Sequence, residues 1–434
     1  MLLVRDAMQG LIAWKNSSDR LPLIIRGARQ VGKTWLMQEF GKTQFARVAY
    51  INFDNNERMR ELFTGSYDIA RLLNGFQVET KTVIEPQNTL LILDEIQEEP
   101  RALASLKYFT ENAPEYAVVA AGSLLGVALH AGTSFPVGKV DFLDLYPLSF
   151  PEFLRALGRQ DLLDLLQKQD WALTNSFRSV YIDLLRQYYY IGGMPAAVVA
   201  FAENRDYAQV RRIQTRLLEA YEQDFSKHAP ADTVPRIRAV WNSVPAQLAK
   251  ENKKFIYGLL RKGARAKEYE LALQWLLDCG LLHKLNRVKK PDLPLAAYQD
   301  DAFKLYLLDV GLLAAKSDLD LTTLLEGNRI FEEFKGALTE QYVMQQLAAA
   351  GVKPCYWASE KGSAEVDFLF QSGGNVIPLE VKAEENLKAK SLRFYCQKYQ
   401  PKRALRSSMS GYREEAWLTN VPLYAISGIK NIIA

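Results

Sequence analysis

Apolar residues fall in short unbroken runs in the first third of the chain and at three- and four-residue intervals further on. The runs at 23–26, 48–53, 90–93, 117–121 and 140–145 are too short for helices and apolar on both faces. They predict strands of a parallel sheet covered on each side. Residues 6–16, 35–41 and 103–112 carry helical periodicity between them, so the first 150 residues read as an α/β domain. Ser149 and Glu152 fit a capping box that starts the next region. Helical spacing follows at 162–167, 180–190 and 207–225, interrupted by the turn signal Ile191-Gly192-Gly193-Met194-Pro195. Residues 268–279 predict an amphipathic helix closed by Gly280, and residues 281–288 a strand. This order suggests a winged helix. The last quarter predicts a helix at 331–348, strands at 365–370 and 376–382 around the turn Gln371-Ser372-Gly373-Gly374-Asn375, and a helix at 391–399. The expected divisions are 1–150, 151–240, a helical lid, 241–329, a winged-helix-like domain, and 330–434.

The richest chemistry lies just after the first predicted strand. Gly27-Ala28-Arg29-Gln30-Val31-Gly32-Lys33-Thr34 reads G-x-x-x-x-G-K-T, with Trp35 opening the helical stretch beyond. Glycines let such a loop turn its N–H groups onto phosphate oxygens, and the helix N-terminus adds partial positive charge. Lys33 is placed to reach the β- and γ-phosphates and Thr34 to ligate Mg²⁺. The predicted strand ending at Asp94-Glu95 supplies a second acidic element: Asp94 would hold the Mg²⁺ through water and Glu95 would orient the attacking water. Ser123, after the fourth predicted strand, is either a γ-phosphate sensor or a plain turn serine.

Composition narrows the remaining classes. Nearly half of the 434 residues are apolar and 24% are charged, as in ordinary globular proteins. No apolar run approaches the roughly 20 residues needed to span a bilayer, so no membrane partner is expected. The first residues lack a signal-peptide core, and a cytoplasmic location is expected. The three cysteines and three histidines are scattered, which gives no support to zinc chemistry or a disulfide framework. The net charge of +4 is uninformative, but residues 250–290 hold 11 Lys or Arg against 4 Asp or Glu. Residues 381–406 hold 8 against 2. Both stretches are candidate phosphate-contacting surfaces for DNA or RNA.

A second constellation lies near the C-terminus. Glu380 and Lys382 are two apart on a predicted strand and so share a face, and a hairpin can bring Asp367 beside them. Two carboxylates suit Mg²⁺ activating water on a phosphodiester, with Lys382 orienting the water and Glu340, from the preceding helix, completing the cluster. The same residues would equally make an ordinary cross-strand ion-pair network.

These motifs carry a resemblance. Gly27–Thr34 together with Leu93-Asp94-Glu95-Ile96-Gln97 resembles the AAA+-type ATPases of the archaeal-ATPase-like group. Gly336-Ala337-Leu338-Thr339-Glu340, Ala364-Glu365-Val366-Asp367-Phe368 and Leu379-Glu380-Val381-Lys382 resemble the domain of unknown function 4143. The resemblance implies ATP binding and a C-terminal PD-(D/E)xK nuclease-like fold, in which Asp367, Glu380 and Lys382 match the D…E-x-K residues. It also implies Gly-Arg where this chain has Gly138-Lys139. If that arginine acts on the γ-phosphate, Arg29 or Arg101 would have to replace it. The expected protein is thus a Mg²⁺-dependent ATPase with a nuclease-like domain acting on nucleic acid, its lid and C-terminal domain moved by hydrolysis. The alternatives are an ATP-driven switch for a protein partner with an inactive C-terminal domain, or a DNA-binding regulator. Assembly into a homo-oligomer is left open.

Overall fold

The computed structural model describes residues 3–122, 136–326, 332–359, 364–383 and 389–433. Ser123 lies outside the described residues. The chain divides into two compact units, one of residues 4–146 with 278–280, the other of 1–3, 147–277 and 281–434.

In the smaller unit, β1 (Leu23–Arg26), β2 (Arg47–Asn52), β3 (Thr89–Asp94), β4 (Ala117–Ala121) and β5 (Asp141–Asp144) form one sheet in the order β2-β3-β4-β1-β5. Every neighbouring pair is parallel. All side chains of β3 and β4 are buried, which is what an apolar strand covered on both faces requires. The helices Lys33–Gln44 and Pro100–Asn112 bury Leu36, Met37 and Phe40, and Leu103, Leu106 and Phe109. Helices Glu57–Thr64 and Ile69–Thr80 fill the crossover between β2 and β3, where the sequence pattern gave no element.

The larger unit begins with helices. The expected capping box is present, with the Ser149 hydroxyl and Glu152 carboxylate each accepting the other's backbone N–H. The expected break at 191–195 is also present. Gly192 has φ +73° and ends the helix Arg178–Ile191. Gly193 donates to Asp309 Oδ2 at 2.6 Å, and its carbonyl accepts from Leu148 N at 2.6 Å.

The second sheet changes the expected layout. It comprises β6 (Leu282–Val288), β7 (Gln299–Leu307), β8 (Cys355–Ala358), β9 (Glu365–Ser372), β10 (Asn375–Val381), β11 (Leu405–Ser408), β12 (Arg413–Glu414) and β13 (Thr419–Pro422). Their order is β12-β13-β11-β10-β9-β8-β6-β7. Helix Ala266–Asp278 is followed by the antiparallel pair β6 and β7. Yet β6 also pairs with β8 through Arg287–Tyr356 and Val288–Trp357. The boundary expected at 329/330 falls between β7 and β8, and strands from both sides of it share this one sheet. The reason is that β6 leaves an edge that β8 satisfies with backbone hydrogen bonds. The β9–β10 turn is as expected, two glycines with φ +53° and +71°.

Candidate nucleotide and carboxylate sites

The nucleotide site is assembled at the carboxyl ends of β1 and β3, where the crevice of a parallel sheet lies. The loop after β1 is held in a sharp, unusual path: Gly27, Gln30 and Gly32 have φ of +150°, +66° and +96°. A Cβ at Gly27 would sit 2.2 Å from the Leu145 carbonyl oxygen, so only glycine fits. Arg5 clamps the loop from the N-terminal segment, donating to the carbonyls of Val31 at 2.9 Å and Tyr146 at 2.6 Å. Ala28 and Val31 are buried, Arg29 is exposed and Trp35 is half-buried.

Lys33 opens the helix and is nearly buried. Its Nζ donates to the carbonyls of Gly27 at 2.8 Å and Ala28 at 2.9 Å, lying back along the loop that would cradle phosphate. Burial lowers its pKa to about 8 against the pull of Glu95 and Asp94. Thr34 Oγ1 donates to Asp94 Oδ2 at 2.7 Å, so a hydroxyl and a carboxylate stand side by side. Two hard oxygens from these elements fit a Mg²⁺ ion that keeps most of its waters. Tyr50 Oη, from β2, donates to the same Asp94 oxygen at 2.9 Å. Burial, then the Asp94 charge, keeps this phenol firmly protonated. Glu95 leaves the strand with φ +51°, and Gln97 Nε2 donates to its Oε2 at 2.7 Å.

Arg101 is engaged away from the loop, donating to the carbonyls of Thr64 and Gly65 at 2.9 Å each and lying over the Tyr67 ring. Lys139, in the position where the resemblance implies arginine, pairs with Glu111 at 3.1 Å on the surface. Neither Tyr50 nor Arg5 is visible as a site residue in the sequence, because each is brought in by pairing far along the chain.

The second site lies wholly in the larger unit. Asp367 on β9 accepts from the Val381 amide through Oδ2 at 2.7 Å, which sets it against the end of β10. Lys382 Nζ donates to Glu380 Oε1 at 2.6 Å, as expected for side chains two apart. Glu380 Oε2 is buried and has no hydrogen-bond partner among the described residues. Glu340, on helix Glu332–Ala349, joins the cluster but is already engaged. Its Oε1 accepts from Lys253 Nζ at 2.8 Å, and its Oε2 accepts from Tyr306 Oη at 3.1 Å and lies 3.6 Å from Lys304 Nζ. Lys304 is fully buried, pairs with Glu365 at 2.5 Å and lies over the Tyr356 ring at 4.9 Å.

The electrostatics follow from this packing. Burial, and then the neighbouring Glu340 and Glu380 charges, raise Asp367 well above the carboxylate range. Burial also raises Glu380, with Lys382 opposing it. Burial would raise Glu340 as well, but Lys253 and Lys304 outweigh it and hold that carboxyl at about 2. Among the described residues no group of three or more His, Cys, Asp or Glu is arranged to hold a metal. The pair Asp367 and Glu380, with one buried oxygen unpaired, fits a single Mg²⁺, which needs only one or two protein carboxylates. Lys253, Lys304, Tyr306 and Glu365 are not among the site residues expected from the sequence. Lys304 did leave a signal there, as a charge in the middle of the apolar run Ala302–Leu308.

Comparison with known families divides the chain in three. Residues 19–154 match the family described as AAA domain, and residues 335–425 match the domain of unknown function DUF4143. Residues 182–323 match a further domain of unknown function, DUF8612. The smaller unit is thus a P-loop domain of ATPase type, followed in the chain by a DUF4143 segment.

Among solved structures, a Walker-type ATPase of Pyrococcus abyssi is 15% identical and aligns over 73% of this chain and 96% of its own, with a TM-score of 0.47. The Orc1 protein of Aeropyrum pernix in complex with DNA is 13% identical over 74% and 93%, TM-score 0.29. Cdc6p of Pyrobaculum aerophilum is 13% identical over 74% and 93%, TM-score 0.26. No curated protein matches the chain. Among the described residues no helix is long and apolar enough to cross a membrane.

Proposed function

We propose that the chain is a Mg²⁺-dependent ATPase whose C-terminal part carries a nuclease-like carboxylate site acting on nucleic acid. The observation that carries the first half is the 2.7 Å bond between Thr34 and Asp94, two residues 60 apart in sequence, beside Lys33 and beneath a loop that admits only glycine at 27. Thr34 and Asp94 would hold Mg²⁺, which would draw charge from the β- and γ-phosphates. Lys33 would swing from the loop carbonyls of residues 27 and 28 onto the phosphates. Backbone N–H groups from Ala28 to Trp35 would cradle them. Glu95, once released by Gln97, would orient the attacking water and take its proton. Positioning and charge neutralisation supply most of the rate in such chemistry. Phosphate release from ATP tests this: Glu95→Gln should abolish turnover while leaving ATP bound. Undiminished turnover in that variant would sink the assignment.

In the C-terminal site Asp367 and Glu380 would hold Mg²⁺ as Lewis acid, and Lys382 would orient water or stabilise charge on phosphorus. Exposed Arg261, Lys262, Arg265 and Lys267 around the start of helix Ala266–Asp278, with Lys289 and Lys290 after β6, support a phosphate-contacting surface. Cleavage of single- and double-stranded DNA and RNA with Mg²⁺ or Mn²⁺, with and without ATP, should be lost in Lys382→Ala. One observation favours the rival reading, an ATP-driven switch with an inactive C-terminal domain. Lys253 and Lys304 already neutralise Glu340, as in a purely structural network. Absence of cleavage in a preparation that still turns over ATP would establish that reading instead.

A further inference from the structure

We infer that the C-terminal cluster takes one divalent cation, at Asp367 and Glu380, and that the ammonium groups of Lys304 and Lys253 fill the place of a second one beside Glu340. This rests on the proposal that Asp367 and Glu380 hold a cation at all; the stoichiometry is what the lysines add.

Both oxygens of Glu340 are engaged, Oε1 by Lys253 at 2.8 Å and Oε2 by Tyr306 at 3.1 Å with Lys304 3.6 Å away. Glu365 Oε1 is bonded to Lys304 at 2.5 Å. Asp367 Oδ2 accepts from a backbone amide and Glu380 Oε1 from Lys382. Of the three oxygens left, Asp367 Oδ1, Glu365 Oε2 and Glu380 Oε2, the last is buried, on a side chain only 6% exposed, and has no hydrogen-bond partner among the described residues. A buried carboxylate oxygen without a donor calls for a cation or a proton. That oxygen belongs to Glu380, on the strand whose Val381 amide donates to Asp367 Oδ2. The Glu340 end is different in kind. Its positive charge is covalently part of the chain, and Lys304 is held there by burial, by Glu365 and by the face of Tyr356. A dication placed beside Glu340 would meet two ammonium groups at contact distance, a repulsion that low local dielectric strengthens. Two segments matched by separate families thus build one polar site: Lys253 and Lys304 come from the first, the acids from the second.

The test is Mn²⁺ titration of the nucleotide-free full chain followed by electron paramagnetic resonance. All proteins carry Asp94→Asn, so that the P-loop site takes no ion. We expect one bound Mn²⁺ per chain, lost on adding Asp367→Asn. Adding Lys304→Met should raise the count from one to two. Should that variant fail to fold, Lys253→Met, at a side chain 13% exposed, provides the same reading. Two ions without any lysine substitution, or one ion still in both lysine variants with an unchanged circular dichroism spectrum, would overturn the inference while leaving the cation reading intact. No ion in any of them would overturn both.

Discussion

Lys33 gives the nucleotide site a pH signature that can be worked out in advance. In the free protein its ammonium is nearly buried, and burial brings its pKa to about 8. Bound triphosphate would place several negative charges against it and raise that value well above the working range. ATP therefore binds the protonated form, and deprotonation of the free protein competes with binding. At pH 7 about one chain in ten has lost the proton, at pH 8 about half, and at pH 9 about nine in ten. ATP affinity should then fall about tenfold between pH 7 and pH 9, or roughly 1.4 kcal/mol. Binding at pH 8 should take up about half a proton. Isothermal titration calorimetry in two buffers of different ionisation enthalpy measures both quantities. Lys33→Arg is the control, because guanidinium stays charged throughout this range. An affinity that is flat from pH 7 to 9, or a slope that persists unchanged in Lys33→Arg, would refute the reasoning.

Three further outcomes are expected. Tyr50→Phe removes one of two hydroxyl donors on Asp94 Oδ2, a bond to a charged group of about 1.5–3 kcal/mol. It should raise the Mg²⁺ concentration for half-maximal ATP turnover about tenfold without changing the melting temperature much. Gly193→Ala puts a Cβ 2.1 Å from the Leu148 carbonyl oxygen, backbone that cannot give way. Urea unfolding should show a loss of about 3 kcal/mol or more, near or beyond the usual range for overpacking. A fragment of residues 330–434 lacks β6, β7 and both lysines that face Glu340, so it buries an uncompensated carboxylate and exposes a strand edge. It should show no cooperative thermal transition by circular dichroism, whereas a cooperative melt would mean that the shared sheet is dispensable.

What could be read from the sequence was local. The P-loop, the β3 carboxylates, the capping box at Ser149 and the Gly373-Gly374 hairpin each depend on residues within a few positions of one another. Their periodicity and turn chemistry therefore survive in one dimension. Helices Glu57–Thr64 and Ile69–Thr80 went unassigned although each has a side-chain cap, Asn56 accepting from Met59 N and Asp68 from Arg71 N. Strands β11 to β13 are two to four residues long and too short to show alternation. Arg5 and Tyr50 reach their partners across 26 to 141 residues, a distance no motif spans.

Lys304 is the instructive miss. It sits between Phe303 and Leu305 in a strand whose last six residues are all buried. Alternation would place an isolated lysine on a wet face, but here both faces are covered. A charge in such a run is tolerable only if an opposite charge is brought to it. That demand points outward from β7 to acids elsewhere, and Glu340 and Glu365 answer it. Had the run been read as fully buried, the lysine would have predicted the acidic cluster, and with it the joining of β6 and β7 to the C-terminal strands.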